Sequence, residues 1–499
     1  METRMIRFKD FSFAYEGMTE DTLKNIDLEI KDGEMVLLTG RSGCGKTTIL
    51  RSINGLIPHF YPGKTTGDVL YGDESLLEMK PSDIAGKVGT VFQDPRSQFF
   101  MTDTTRELAF GCENMGYQRK EIIDRIERAV TNLELEEFLN RSIFSLSSGE
   151  KQQIAIGSVY AMSPKVFVFD EPSANLDHEA TRRLADIMRR LKESGYTIIV
   201  ADHRFYYLRD LIDYAVYIEN GQIVNRFSRD EFLNLDDDFR IQKGLRTSYP
   251  ERDIGTVPKK SSEIDPLTEK SLFKVDGLSF AYDKKQKLLD ELSFEASSGD
   301  VIGITGHNGA GKTTLISILT GILKEQSGKV YFKGKRLSAS KRRKLSYLVM
   351  QDADYQLFTA SVEEELVLGT RVSDKKTIDS VLDKLALSEF RECHPAALSG
   401  GQKQRVTIGA SLIKNSEILF FDEPTSGLDY DSMIRVSSLI KELSDNGAII
   451  FLVSHDFEFI THTCTRIFDL DVKKNEKMIE LGETTLQMLA EKYFHSFKQ

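Results

Sequence analysis

Two stretches decide the fold: Met35-Val-Leu-Leu-Thr-Gly-Arg-Ser-Gly-Cys-Gly-Lys-Thr-Thr48 and Val301-Ile-Gly-Ile-Thr-Gly-His-Asn-Gly-Ala-Gly-Lys-Thr-Thr314. Each runs from a short apolar, strand-like segment through G-x-x-x-x-G-K-[ST] into a helical pattern. Glycines let backbone N–H groups approach a phosphate, and the helix N-terminus adds partial positive charge. The lysine reaches the β and γ oxygens, and the following threonine can ligate Mg²⁺. The candidate phosphate-binding residues are therefore Gly40, Gly43, Gly45, Lys46, Thr47 and Thr48, and in the second stretch Gly306, Gly309, Gly311, Lys312, Thr313 and Thr314. One such match arises by chance often enough to be discounted; two at matched positions do not.

The match is part of a longer internal repeat. Phe11-Ser-Phe-Ala-Tyr15 recurs as Leu278-Ser-Phe-Ala-Tyr282, and every later landmark recurs as well. The first copy carries eight extra residues between the glycine loop and a glutamine (Gln93, Gln351), then six more before an acidic pair. The first excess falls near Ile57-Pro-His-Phe-Tyr-Pro-Gly63, which reads as a loop. Between the copies, Thr247 to Lys270 holds Pro250, Pro258 and Pro266 among lysines and serines, a linker composition. The expected domains are 1–240 and 272–499, joined by a linker over 241–271. A length of 499 residues suggests about three domains of roughly 150 residues each, and the repeat reduces that to two. Within each copy, β-branched or aromatic runs alternate with helical patterns, which predicts an α/β fold with a mainly parallel sheet covered on both faces.

Further chemistry lies at predicted strand ends. Val166-Phe-Val-Phe-Asp-Glu171 is mirrored by Ile418-Leu-Phe-Phe-Asp-Glu423. An apolar run ending in two acids places Asp170 or Asp422 to hold Mg²⁺ and Glu171 or Glu423 to orient or deprotonate a water. His203 and His455 each stand 32 residues beyond that glutamate, after another apolar run, where each is expected to contact a γ-phosphate. Leu398-Ser-Gly-Gly-Gln402 precedes a helical pattern, so Ser399, Gly400 and Gly401 form a second anion site at a helix N-terminus. Its counterpart is Leu146-Ser-Ser-Gly-Glu150, with Ser147 and Gly149.

With these elements together, the chain resembles the ABC ATPases along essentially its whole length. The resemblance implies tandem P-loop NTPase domains, each a RecA-like core with a helical subdomain, that close head to tail around two ATPs. It also implies that Tyr15 and Tyr282 stack on adenine, that Gln93 and Gln351 are Q-loop residues reaching the Mg²⁺ site, and that Asp177 and Asp429 mark the D-loops. Gly40 to Thr47, Gln93, Asp170, Glu171 and His203 would then face Ser399 and Gly401; Gly306 to Thr313, Gln351, Asp422, Glu423 and His455 would face Ser147 and Gly149. The first signature departs from the family pattern. Ser148 adds bulk, Glu150 adds negative charge, and Gln153 stands where the second copy has Arg405, so slower turnover is expected at the site using this signature.

The purpose of hydrolysis is read from Phe92-Gln-Asp-Pro-Arg-Ser-Gln-Phe-Phe100 and Met350-Gln-Asp-Ala-Asp-Tyr-Gln-Leu-Phe358. Both resemble the Q-helix segment of energy-coupling factor (cobalt/vitamin-type) importer ATPases, and Asn54-Gly-Leu-Ile-Pro-His-Phe-Tyr61 resembles the fused two-domain members of that group. The resemblance implies two integral membrane partners, a transmembrane coupling protein and a substrate-binding subunit, with the ATPase peripheral on the cytoplasmic face of the cell membrane. Alternatively, Phe99, Phe100, Leu357 and Phe358 are core of the helical subdomain. The rival functions are a tandem sugar-importer ATPase and a soluble ATPase acting on ribosomes or another cytosolic complex. A net charge of −11 disfavours a nucleic-acid partner. Uninterrupted apolar runs are too short to span a bilayer, and no apolar secretory segment follows Met1, so a cytosolic chain is expected. The four cysteines have neither zinc spacing nor disulfide density and are expected to be reduced, packed thiols. Leu486, Leu489, Ala490, Tyr493, Phe494 and Phe497 have helical spacing, expected to pack on their own domain.

Overall fold

The computed structural model describes residues 5–252, 272–283, 287–370, 374–472 and 477–494. Most of the expected linker, with Pro258 and Pro266, and the terminal Phe497 lie outside them. The chain forms two compact units, Met1–Tyr249 with Asp429–Asp431, and Pro250–Leu428 with Ser432–Gln499.

In the first unit, a six-stranded sheet runs in the order Gln222–Ser228, Tyr214–Glu219, Met35–Thr39, Thr197–Ala201, Val166–Asp170, Val88–Val91. All pairs are parallel except the hairpin of the first two. The second unit has the same order, Met478–Glu480, Arg466–Asp469, Val301–Thr305, Ile449–Val453, Ile418–Asp422, Ser346–Val349, again parallel but for the outer hairpin. Val166 to Phe169 are all buried because both faces are covered. Val166 and Val168 join a core that includes Ile49 and Ile53 of the loop helix Lys46–Ile53, while Phe167 packs against Phe169 and Tyr196.

The sequence reading did not anticipate a second sheet. Leu23–Lys31, Met5–Tyr15, Gly63–Tyr71 and Glu74–Ser75 form an antiparallel sheet in that order, repeated by Leu289–Ala296, Phe273–Phe280, Ser327–Phe332 and Lys335–Arg336. Only one face meets the core: Leu23, Ile26, Leu28 and Ile30 are buried, while Asp27 and Glu29 point outward. That alternation is the signature of a half-buried strand. The stretch expected as a loop is also more ordered than that. Leu56–His59 forms a short helical turn with Ile57 fully buried, and Gly63 opens the strand that pairs with Tyr15.

The helical part comprises Thr104–Asn114, Arg119–Leu133 and Ser148–Met162 in the first unit and the shorter Val362–Val367 and Lys375–Lys384 with Gly400–Lys414 in the second. Val362–Val367 and Lys375–Lys384 are each five residues shorter than their counterparts, partly offset by a longer connection between them, and the later excess of the first copy falls in this region. Gly157 and Gly409 hold equivalent places: a Cβ there would lie 2.6 Å from a methyl of Leu135 or 2.5 Å from a methyl of Leu385, so a larger residue would have to displace leucine side chains packed over the helix. The helix Glu483–Phe494 packs on its own unit, with Leu486 and Phe494 buried and Phe494 edge-on to Phe457. Cys44, Cys112 and Cys464 are buried free thiols, whereas Cys393 is half-buried.

Truncating Phe167 removes a ring from a site closed on every side. Phe167→Ala is expected to lower stability by about 3–5 kcal/mol, seen as an earlier urea transition. A change below about 1 kcal/mol would show that the sheet is not packed as described.

Candidate nucleotide-binding sites

Every sequence-predicted strand-end motif stands at the carboxyl end of the parallel sheet in its own unit, the edge where such sheets bind ligands. The glycine loop follows the central strand Met35–Thr39, and Gly40 has φ 144° with a hypothetical Cβ 2.2 Å from the carbonyl oxygen of Ile218. Only glycine fits so close a crossing. Lys46 is buried, and its Nζ donates to the carbonyls of Gly40 at 3.0 Å and Arg41 at 3.1 Å, holding the loop in a ring around the ammonium. Lys312 does the same with Gly306 and His307, both at 2.9 Å.

One strand away from its neighbour, the acidic pair meets this loop. Thr47 Oγ1 donates to Asp170 Oδ1 at 3.1 Å. Burial raises the Asp170 carboxyl above its usual range, opposed by the Thr47 hydrogen bond, and burial likewise raises Asp422, opposed by Thr313. A buried carboxylate beside a hydroxyl at that distance fits a divalent cation that keeps its remaining positions for waters and phosphate oxygens.

Glu171 and Glu423 share an uncommon backbone, φ 46° and 49°, in the left-handed region. Their N–H groups continue the sheet pattern, donating to Ala201 at 2.7 Å and Val453 at 2.9 Å. Such strain persists only where the surroundings impose it, and it clusters at functional sites. Gln93 Nε2 donates to Glu171 Oε2 at 2.7 Å, and His203 Nε2 lies 3.7 Å from Glu171 Oε1. His455 Nε2 lies 3.6 Å from Glu423 Oε1. Burial pushes the Glu171 carboxyl up to about 8, so it is largely protonated near neutral pH in this state. Burial, with Lys46 nearby, holds His203 well below its ordinary value and therefore neutral. The first unit thus gathers Gly40 to Thr47, Gln93, Asp170, Glu171 and His203. The second gathers its loop with Asp422, Glu423 and His455, and Gln351 follows the strand Ser346–Val349 at the matching place. Tyr15 and Tyr282 each share a hydrogen bond with the second threonine after the loop lysine, Thr48 or Thr314, both at 3.2 Å.

The signatures are helix N-termini, as expected. Ser147 and Ser399 cap Ser148–Met162 and Gly400–Lys414 through reciprocal capping boxes. Glu150 is not a loose negative charge: it accepts from the Ser147 N–H at 2.6 Å and from Arg141 at 3.1 Å. Partial burial raises its carboxyl, but the Ser147 and Arg141 contacts outweigh this and hold it below the usual range. Arg405, for its part, donates to the Leu385 carbonyl at 3.0 Å. A Cβ at Gly400 would meet nothing within 4 Å, so a serine such as Ser148 fits within its own unit. Gly149 differs, because a Cβ there would lie 2.6 Å from Ala180 Cβ, on the helix His178–Glu193 that Asp177 caps.

Sequence reasoning missed three groups. Glu107 and Glu365, both buried, accept from two successive backbone N–H groups each: Phe100 and Met101 at 3.0 and 2.8 Å, Phe358 and Thr359 at 2.8 and 2.9 Å. Asp202 accepts from the N–H groups of His203 and Arg204 at 2.7 and 3.0 Å and from Tyr207 at 2.7 Å, tying down the histidine turn. The matched position of Glu107 and Glu365 in the two copies was the available signal; nothing in the sequence marked Asp202, because its counterpart Asp456 follows the histidine rather than preceding it.

The ABC transporter sequence family matches residues 23–174 and 289–426. The chain belongs to the ABC transporter ATPases. It is an ATP-hydrolysing enzyme with two tandem ATP-binding domains of the P-loop NTPase fold. A candidate ABC transporter ATP-binding protein of Treponema denticola is 41% identical over 493 residues, covering 96% of this chain and 99% of its own. Another from Methanosarcina mazei is 31% identical, covering 95% and 88%. Among solved structures, the archaeal ribosome recycling factor aABCE1 in complex with the ribosomal stalk protein aP1 has a TM-score of 0.61 at 23% identity, covering 96% of this chain and 92% of that one, a likeness of fold. Among the described residues of this ABC ATPase, no helix is long and apolar enough to cross a membrane.

The signature glycines of the ABC ATPase make a contrast. Gly149→Ala is expected to cost about 1–3 kcal/mol by prising the signature helix from Ala180, whereas Gly400→Ser is expected to stay within about 0.5 kcal/mol. Thermal unfolding of both variants checks this, and equal shifts would refute it.

Proposed function

We propose that this ABC ATPase energises a membrane importer of the energy-coupling factor type, for a vitamin, metal ion or similar micronutrient. In this reading it is held peripherally at the cytoplasmic face of the cell membrane by a transmembrane coupling protein, alongside a substrate-binding membrane subunit. The observation that carries the reading is the fate of each side chain in the repeated Gln-Asp-x-x-x-Gln-[Phe/Leu]-Phe segment. Asp94 and Asp352 cap the turn that follows, accepting from the N–H groups of Arg96 and Asp354. Gln98 and Gln356 fold back on the backbone of Phe92 and Met350 at 3.4 and 2.9 Å. Glu107 and Glu365 brace the chain just beyond. Phe99 and Leu357 are half-buried. The last aromatic is the least covered ring of each segment: Phe100, although stacked on Phe110, is 71% exposed and Phe358 is 75% exposed, at the same place in both copies. A braced, solvent-facing phenylalanine a few residues from a glutamine at the catalytic carboxylate suits a partner that must sense nucleotide state.

At each site, Glu171 or Glu423 orients and deprotonates the attacking water, while His203 or His455 contacts the γ-phosphate. Lys46 or Lys312 exchanges its loop carbonyls for phosphate oxygens. Thr47, Asp170 and Gln93, or Thr313, Asp422 and Gln351, hold Mg²⁺, which neutralises charge on the transferring phosphoryl group. Ser147 and Gly149, or Ser399, Gly400 and Gly401, add helix-terminal donors when domains 1–240 and 272–499 close head to tail around two ATPs. Tyr15 and Tyr282 carry the adenines.

Expression with a membrane fraction tests the reading. Affinity capture from detergent extract is expected to recover small multi-span membrane proteins, and Phe100→Ser with Phe358→Ser to lose them while basal ATPase persists. Recovery with ribosomes and no membrane protein would overturn it. Glu171→Gln and Glu423→Gln together are expected to lower ATP turnover by at least about 100-fold with nucleotide binding retained.

A further inference from the structure

We propose that Arg51 and Tyr61 complete a base-binding platform at the first nucleotide site that the second site lacks, so that the first holds ATP more tightly through its base. The proposal rests on the placement of adenine on Tyr15 given above.

The two tyrosines start from the same local geometry. Tyr15 is edge-on to Phe13 at 4.8 Å, Tyr282 is edge-on to Phe280 at 4.9 Å, and each hydroxyl meets a threonine at 3.2 Å. Beyond that they diverge. In the first unit Arg51 Nη1 donates to the Tyr15 hydroxyl at 3.0 Å. Its guanidinium lies 4.1 Å from the centre of the Tyr61 ring, and Tyr61 stands nearly perpendicular to Tyr15 at 6.1 Å. The cation fixes both rings at once, one through its hydroxyl and the other through its face. Tyr15, Arg51 and Tyr61 are all half-buried, and both tyrosines pack against the core.

Among the described residues, the second unit shows neither partner. Five residues beyond the lysine, where Arg51 stands, is Ser317, whose hydroxyl turns back to the Thr313 carbonyl at 2.8 Å. The shorter second copy has no counterpart of Pro58-His-Phe-Tyr61, and Tyr282 is 71% exposed. The extra residues of the first copy thus deliver an aromatic ring to the edge of the expected base site. A ring already immobilised loses less freedom when a base stacks on it, and that saving goes directly into affinity.

The test uses the full chain with one site silenced. In Lys312→Ala protein, displacement of a ribose-labelled fluorescent ATP is measured with ATP and, separately, with inorganic tripolyphosphate. Tyr61→Ala and Arg51→Ala are each expected to weaken ATP about fivefold and leave tripolyphosphate unchanged, while Tyr61→Phe retains affinity. In Lys46→Ala protein, where only the second site reads out, the same substitutions are expected to change nothing. Unchanged or tighter ATP binding in Tyr61→Ala overturns the inference, as does equal weakening of ATP and tripolyphosphate, which would mark a general loss of loop structure. Tyr15→Ala separates the two levels: if it weakens ATP and Tyr61→Ala does not, the platform fails alone; if it has no effect, the placement of the base fails with it.

Discussion

The site depends on one constraint, that a strand buried on both faces can expose polar groups only where it ends. Val166 to Phe169 and Ile418 to Phe421 are sealed by packing above and below, so the first carboxylates appear at Asp170 and Asp422, at the sheet edge beside the glycine loop. The flanking strands end in the same layer with a histidine and a glutamine, and the next strand beyond ends in the lysine-bearing glycine loop, so these groups gather at one edge without being near in sequence. Desolvation then follows from the architecture. Glu171 is pushed up to about 8 and His203 is held neutral because the sheet that positions them also excludes water. An anionic nucleotide would favour the charged form of His203, while a divalent cation beside Asp170 would favour the charged form of Glu171.

The duplicated architecture tolerates different solutions to the same local problem. The signature helices are capped once with Glu150 and once with Gln402, each returning its side chain to the serine N–H. The histidine N–H is met by Asp202 in one copy and by Glu423 in the other, where the neighbouring Asp456 instead caps the helix Phe457–Thr463 by accepting from Phe459 N–H at 3.3 Å. These exchanges retain the backbone geometry while altering the charge presented to a ligand. What the exchanged residues do inside their own unit is mostly structural, so a difference in charge read from the sequence alone overstates the difference in the field at a phosphate.

The glycine loops, the acidic pairs, the histidines and the parallel sheet were legible because each is a local pattern whose chemistry needs those residues in that order. The antiparallel sheet was not, although Leu23 to Lys31 alternates cleanly, because its partners are strands distant in sequence and alternation does not name a partner. Glu107 and Glu365 escaped notice for a related reason: a glutamate in the first turn of an amphipathic helix reads as solvated, and only the fold shows it buried against backbone N–H groups. The stretch Ile57 to Gly63 is a loop at Phe60 to Pro62, as its proline and glycine suggest, but the short turn before it, anchored to the core by the buried side chain of Ile57, was not legible.

Those same misread positions separate the two levels at which this ABC ATPase is specified. Residues with a packing or hydrogen-bonding role in their own unit, such as Gln98, Asp94 and Glu107, need no partner to account for them. Phe100 is stacked on Phe110 at 4.7 Å yet remains largely in water, and Phe358 is equally uncovered. Leaving two large rings exposed at equivalent points of a repeat forgoes burial worth roughly 1.5–3 kcal/mol per ring. The duplicated brace of Glu107 and Glu365 beneath them shows that their presentation is built into the backbone rather than left to a mobile tip. The candidate nucleotide-binding residues are thus accounted for by their own motifs, while the two exposed aromatics are the points of the segment that packing within a unit leaves largely uncovered.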